Sequence, residues 1–222
     1  MEAARPAGTP RTADDPSRLY LIRHGETDFN VEGRYQGQID STLSQRGRAQ
    51  TECLAEALAR VPFRAIYSSP LSRSLETAQA IAARHALAVV PLDGLREVGM
   101  GEWEGLTEDE ITARFGPVLT ARRKDPEYVT PGGGESLGAL QARGLATIRG
   151  LVARHPCEAI AVVAHGGLNK AILLGILGAP FSRYWAIRQD NGAINVLEFD
   201  NRGARVRLLN ETAHLREGAA AL

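Results

Sequence analysis

Leu19-Tyr20-Leu21-Ile22-Arg23-His24-Gly25-Glu26-Thr27-Asp28-Phe29-Asn30 opens on an apolar run and closes on a cation, an imidazole, a glycine and polar side chains. A short apolar run bounded in this way predicts a buried strand. In open parallel sheets, ligands bind just beyond the carboxyl ends of the strands. Arg23 and His24 fall where such a site belongs. A second run, Ala159-Ile160-Ala161-Val162-Val163-Ala164, ends the same way, in His165-Gly166-Gly167. Two strands that each deliver a histidine to one sheet edge predict a pair of imidazoles, joined by arginines, around an anion.

Outward from these runs, strand and helix patterns alternate. Residues 25–41 are polar and broken by Gly33 and Gly37, so they read as a loop carrying Asn30, Arg34 and Gln36 within reach of the first strand's end. Ser44 is placed as an N-cap, and Ala49, Cys53, Leu54, Ala57 and Leu58 recur at helical spacing before Pro62. A strand over 65–67 leads to a helix over 71–85 with Arg73 in its first turn, and a third strand covers 88–90. Thr107-x-x-Glu110 is a capping box opening a helix. A long amphipathic helix is predicted over 135–154, another over 168–177 that stops at Gly178 and Pro180, and a hairpin over 193–199 and 206–209. The alternation implies a parallel sheet covered on both faces. The predicted fold is a single-domain three-layer α/β/α architecture with a mostly parallel central sheet. Residues 97–134 form a small insertion over its C-terminal edge. Residues 1–17, rich in Pro, Ala and Thr, read as a disordered lead-in, 18–217 as the domain and 218–222 as a frayed tail.

Bulk composition excludes several classes of function. The 222 residues carry formal net charge +0 with no basic block, which argues against nucleic-acid binding. No apolar run approaches the roughly 20 residues of a membrane helix, and no secretory signal opens the chain. Cys53 and Cys157 are far apart and outside any metal spacing, so both read as reduced. The balance points to the cytoplasm. A homodimer, the commonest assembly, is the default expectation.

The chemistry follows from the strand ends. Arginine forks match phosphate oxygens, so Arg23 and Arg73 together suit a dianionic phosphoryl group. Phosphoryl transfer is catalysed mainly by positioning and electrostatics. A neutral imidazole in that cage is a competent nucleophile, and flanking arginines disfavour its protonation. Its other ring nitrogen requires an acceptor such as a backbone carbonyl to fix the tautomer. Glu97, between Leu95 and Val98, suits general-acid work at the leaving oxygen and base work on the attacking water; Glu102 and Glu104 are the neighbouring alternatives.

Leu21-Ile22-Arg23-His24-Gly25-Glu26-Thr27 resembles the signature of the histidine phosphatase, or phosphoglycerate mutase-like, superfamily. Further matching segments follow in the family's order. They are Gly33-Arg34-Tyr35-Gln36-Gly37, Tyr67-Ser68-Ser69-Pro70-Leu71-Ser72-Arg73, Leu95-Arg96-Glu97 and Val163-Ala164-His165-Gly166-Gly167. The resemblance implies that His24 is phosphorylated, that Glu97 donates the proton, and that Arg23, Arg73 and His165 complete the phosphate pocket. It adds a phosphate hydrogen bond from Asn30, a backbone one from Gly166, and substrate contacts at Gln36 and Gly37. It implies no metal and no cofactor. The short segment Glu97-Val98-Gly99-Met100-Gly101-Glu102-Trp103-Glu104-Gly105 is similar to the phosphatase branch, giving a phosphomonoesterase for a small phosphorylated metabolite. A phosphoglycerate mutase is the alternative, and a weak phosphate-binding module or a His24–His165–Glu97 metal site are further rivals. Outside the cage, His85 and His155 are expected to close helices and His214 to sit in the tail. Arg122, Arg123 and Lys124 are expected on a solvated face or meeting an acidic substrate. Trp103, Phe29 and Tyr35 either wall the mouth or cover the core.

Overall fold

The computed structural model describes residues 15–216. The lead-in and tail expected at the two ends therefore lie outside the described residues, apart from 15–17, of which Ser17 already belongs to a strand. In chain order the elements are β1 (Ser17–Arg23), α1 (Asp28–Val31), α2 (Gln45–Leu58), β2 (Phe63–Ser68), α3 (Ser72–Ala83), β3 (Val89–Pro91), α4 (Glu108–Lys124), α5 (Leu137–Arg154), β4 (Ala159–Ala164), α6 (Gly166–Leu177), β5 (Ile194–Asp200) and β6 (Gly203–Glu211).

The sheet order is β3-β2-β4-β1-β5-β6. The pairs β3–β2, β2–β4 and β4–β1 are parallel, while β5 and β6 pair antiparallel at the other edge. β4 is buried at every position because both faces are covered. Ile160, Val162 and Ala164 pack with Leu140, Ile148, Leu168 and Ile172 of α5 and α6. Ala159, Ala161 and Val163 pack with Leu54, Leu58, Ala78 and Ile81 of α2 and α3. The alternation of side chains along a strand thus divides one apolar run between two cores.

The caps behave as their chemistry requires. Ser44 Oγ accepts from the Gly47 amide, and Ser136 Oγ accepts from the Ala139 amide. Thr107 and Glu110 form the reciprocal box. Gly178 ends α6 at φ +62°, a conformation that glycine adopts without strain. α4 kinks at Phe115, just before Pro117, whose ring cannot continue the hydrogen-bond ladder. The insertion has its own small core of Trp103, Ile111 and Leu119.

Two expectations change. The loop over 25–41 contains the short helix α1, capped by Thr27 with Asn30. A four-residue turn carries too little periodicity to be read from sequence. His214 is not a tail residue: it is buried, and its Nε2 lies 3.1 Å from the Gly192 carbonyl.

Candidate active site

Sheet register brings the two histidines together. Arg23 pairs with Ala164 across the parallel β1–β4 ladder, so the next residue on each chain, His24 and His165, emerges at the same sheet edge. Their ring centroids are 5.2 Å apart at 64°. His24 is 2% exposed and His165 fully enclosed. Close approach at the loop after β1 depends on glycine: a Cβ on Gly25 would stand 2.5 Å from the Gly47 carbonyl oxygen.

His24 Nδ1 lies 2.6 Å from the carbonyl oxygen of Gly25. A carbonyl only accepts, so Nδ1 carries the proton and Nε2 keeps its lone pair. Burial, then the charges of Arg73 and Arg23, hold the His24 pKa well below the ordinary histidine value. Burial and Arg73 lower His165 likewise. Both rings are neutral at neutral pH. His165 Nε2 is 3.4 Å from Ser74 Oγ.

Arg73 enters from the first turn of α3, beyond β2. Its Nη1 donates to the Ile39 carbonyl and its Nη2 to the Gly37 carbonyl, both at 2.8 Å. Burial brings its pKa down to about 10, so it remains a cation. Asp40 fixes that loop by accepting from the Ser72 amide and hydroxyl, each at 2.7 Å. Arg23 Nη1 donates to the Gln189 carbonyl at 2.6 Å. Nε of Arg23, Nε of Arg73 and Nδ1 of His165 are buried without a hydrogen-bond partner among the described residues.

Glu97 reaches the same place from the insertion. Its carboxylate accepts from the amides of Val98 at 2.9 Å, Gly167 at 2.8 Å and Leu168 at 2.9 Å. It thereby sits at the amino end of α6, where backbone N–H groups and the helix dipole favour an anion. These three donors fix where the carboxylate of Glu97 stands in the cavity. Glu102 and Glu104 do not line the site. Glu104 instead accepts from the Gln38 and Met100 amides at 2.9 and 3.0 Å and shapes the loop.

His24, Arg23, Arg73, Glu97, Asn30, Gln36, Gly37 and Gly166 all border one cavity of about 560 Å³. His165 stands behind His24 rather than on the cavity wall. Asn30 Oδ1 is occupied by the Thr27 amide, the Thr27 hydroxyl and Asn191 Nδ2, so only its amide nitrogen is left for a ligand. Gln36 Oε1 accepts from Ser41 at 2.6 Å. Among the described residues, no group of three or more His, Cys, Asp or Glu side chains is arranged to hold a metal.

The outer cavity is walled by Tyr35, Trp103, Leu119, Tyr184 and Trp185, with Arg122 and Lys170 among them. Phe29, expected with these aromatics, does not line it. Arg122 is not on a solvated face: it is 3% exposed, and its Nη1 donates to the Val129 carbonyl at 2.6 Å. A run of basic residues on a helix carries no sign of which one turns inward; the neighbouring Arg123 is exposed and pairs with Glu108. Lys170, Tyr184 and Gln189 were missed, because the segment around 181–192 has no periodicity and Lys170 reads as an ordinary helix cation.

The profile of the histidine phosphatase superfamily (branch 1) matches residues 19–212. Phosphoserine phosphatase 1 of Hydrogenobacter thermophilus is 34% identical over 200 residues, spanning 90% of this chain and 95% of its own. Glucosyl-3-phosphoglycerate phosphatase of Mycobacterium tuberculosis is 37% identical over 178 residues, 77% of this chain and 79% of its own. The solved structure of Bacillus stearothermophilus YhfR superposes with TM-score 0.85 at 32% identity, covering 90% of this chain and all of that one.

Proposed function

The chain belongs to the histidine phosphatase superfamily, and we propose that His24 is the nucleophile with which it hydrolyses phosphate monoesters of small metabolites. His24 Nε2 attacks phosphorus as the ester P–O bond breaks, and Glu97 gives a proton to the departing oxygen. Water then attacks the phosphohistidine, Glu97 takes its proton, and inorganic phosphate leaves with His24 restored. Arg23 and Arg73 hold the phosphoryl oxygens throughout, and His165 packs against the ring of His24.

One observation carries this reading: polar atoms of Arg23, Arg73 and His165 are buried around His24 with no hydrogen-bond partner among the described residues. Leaving such a group unsatisfied costs about 1–3 kcal/mol each. A tetrahedral oxyanion beside His24 supplies acceptors for the two guanidinium N–H groups. The buried guanidiniums would repel a metal cation, which supports a metal-independent reaction. The relatives are named for phosphoserine and for glucosyl-3-phosphoglycerate, which supports small phosphorylated metabolites as substrates.

The test is His24→Ala assayed for phosphate release from p-nitrophenyl phosphate. We expect turnover to fall at least about a thousandfold; near-wild-type rates would end the proposal. Feeding 3-phosphoglycerate with its bisphosphorylated primer separates hydrolysis from mutase action: inorganic phosphate is expected, not the 2-isomer. Net charge +0 supports a partner set without nucleic acid. Among the described residues no helix is long and apolar enough to cross a membrane. The exposed free thiol of Cys53 suits the reducing cytoplasm. A homodimer is the proposed assembly, the commonest for soluble proteins, and light scattering on the purified protein decides it.

A further inference from the structure

Resting on the assignment of Glu97 as proton donor, we propose that Arg143 is the residue that positions it. Arg143 lies on α5 and is not part of the cavity wall. A guanidinium has five N–H donors in a rigid fork, and the surroundings of Arg143 supply an acceptor for each. Nε and Nη2 form a bidentate pair with Glu135, at 2.8 and 2.9 Å. Nη1 donates to the carbonyls of Gly94 at 3.0 Å and Arg96 at 2.7 Å. The second Nη2 proton goes to the carbonyl of Glu97 itself, at 2.9 Å.

Glu97 is thus held at both ends by a pair of packed helices. Its carboxylate rests on the Gly167 and Leu168 amides of α6, and its backbone hangs from Arg143 of α5. The two helices approach closely beside Arg143. A Cβ on Gly144 would stand 2.7 Å from Leu168 Cδ1, and Gln141 Nε2 donates to the Ala171 carbonyl at 2.9 Å. His165 is the N-cap of α6. The clamp therefore ties the height of the acid to the element that carries the second histidine. Glu135 is set into the same loop, its amide donating to the Gly99 carbonyl at 2.7 Å.

A half-buried ion pair is weak evidence for stability by itself. Here three of the five donors go to the backbone that carries the acid, which is a geometric task. Lysine keeps the charge but has three donors on one point, so it cannot serve the fork and the loop together.

The test compares kcat/KM for an ester with a good leaving group, p-nitrophenyl phosphate, and a poor one, glycerol phosphate. kcat/KM reports the steps up to departure of the leaving group, so later water attack does not enter. Glu97→Gln is expected to lower the glycerol ester about a hundredfold more than the aryl ester. Arg143→Lys is expected to show the same selectivity at about tenfold, because misplacing a catalytic group costs rate only where that group acts. Glu135→Gln keeps the loop bonds of Arg143 and is expected to give a smaller selective loss, which serves should Arg143→Lys fail to fold. An equal loss on both esters in Arg143→Lys or Glu135→Gln, at unchanged Tm, overturns the positioning role. If Glu97→Gln shows no selectivity, the proton-donor assignment falls and the clamp falls with it.

Discussion

The floor of the cavity and its mouth differ in what holds them. The floor is made of strand ends: Arg23 closes β1 and His24 follows it, and Arg73 lies in the first turn of the helix after β2, with His165 after β4 packed against His24. Register between neighbouring parallel strands sets the spacing of the two histidines, and Arg23, His24 and Arg73 each anchor a nitrogen on a backbone carbonyl. The mouth draws on Tyr35, Trp103, Arg122 and Tyr184, which come from segments remote in sequence. Its ties include exposed pairs such as Arg34–Glu110 and Arg123–Glu108, of a kind worth about 0–1 kcal/mol each. One region is over-determined and suits the invariant part of a substrate, the phosphoryl group. The other is assembled from segments remote in sequence and suits the part that varies between substrates.

This contrast is most directly broken at Arg73. Arg73→Ala removes a cation from the floor and is expected to lower kcat/KM by at least about a hundredfold on every phosphate ester, by a similar factor each. A loss confined to some esters would move Arg73 from the floor to the mouth. Steady-state assays on an aryl, a sugar and an amino-acid phosphate decide it.

A second expectation sharpens the difference through pH. The folded pKa values of His24 and His165 lie below those of the unfolded chain. Below the unfolded value the unfolded state therefore binds more protons, and stability falls as pH drops. The contribution is complete above about pH 6.5 and is lost towards the folded pKa, by up to about 1.4 kcal/mol per pH unit for each histidine. Urea unfolding at pH 7 and pH 5 is expected to show a smaller loss in His165→Asn than in the wild type. An equal loss would mean that His165 is not held neutral. Changes at the mouth should leave the slope untouched.

The smallest effect is expected at Trp185, 55% exposed on the cavity rim. Trp185→Ala is expected to leave p-nitrophenyl phosphate within about threefold and to reorder KM among larger substrates by a similar factor. A hundredfold loss on the aryl ester would show that the rim takes part in the chemistry.

Much of this was legible beforehand, and unevenly so. Apolar run, punctuation and terminal histidine placed β1, β4, His24 and His165, because a buried strand leaves few alternatives for its composition. Thr107 and Glu110 announced a helix start that the structure repeats. Arg122 was not legible, because its burial depends on which face of α4 the insertion turns inward. Nor was Arg143, whose acceptors are backbone carbonyls that no side-chain pattern reveals. Glu97 borders the cavity, but its amide partners in α6 become visible only when the loop meets that helix.

Local chemistry in the chain determined the elements, their caps and the residue types waiting at the strand ends, since those depend on neighbours within a few positions. Tertiary structure alone decided that two strand ends stand in register, that one arginine of a basic run is enclosed, and that α5 and α6 grip the acid between them. Those outcomes depend on contacts between distant segments, and only the packed sheet and its helices bring them within hydrogen-bond reach.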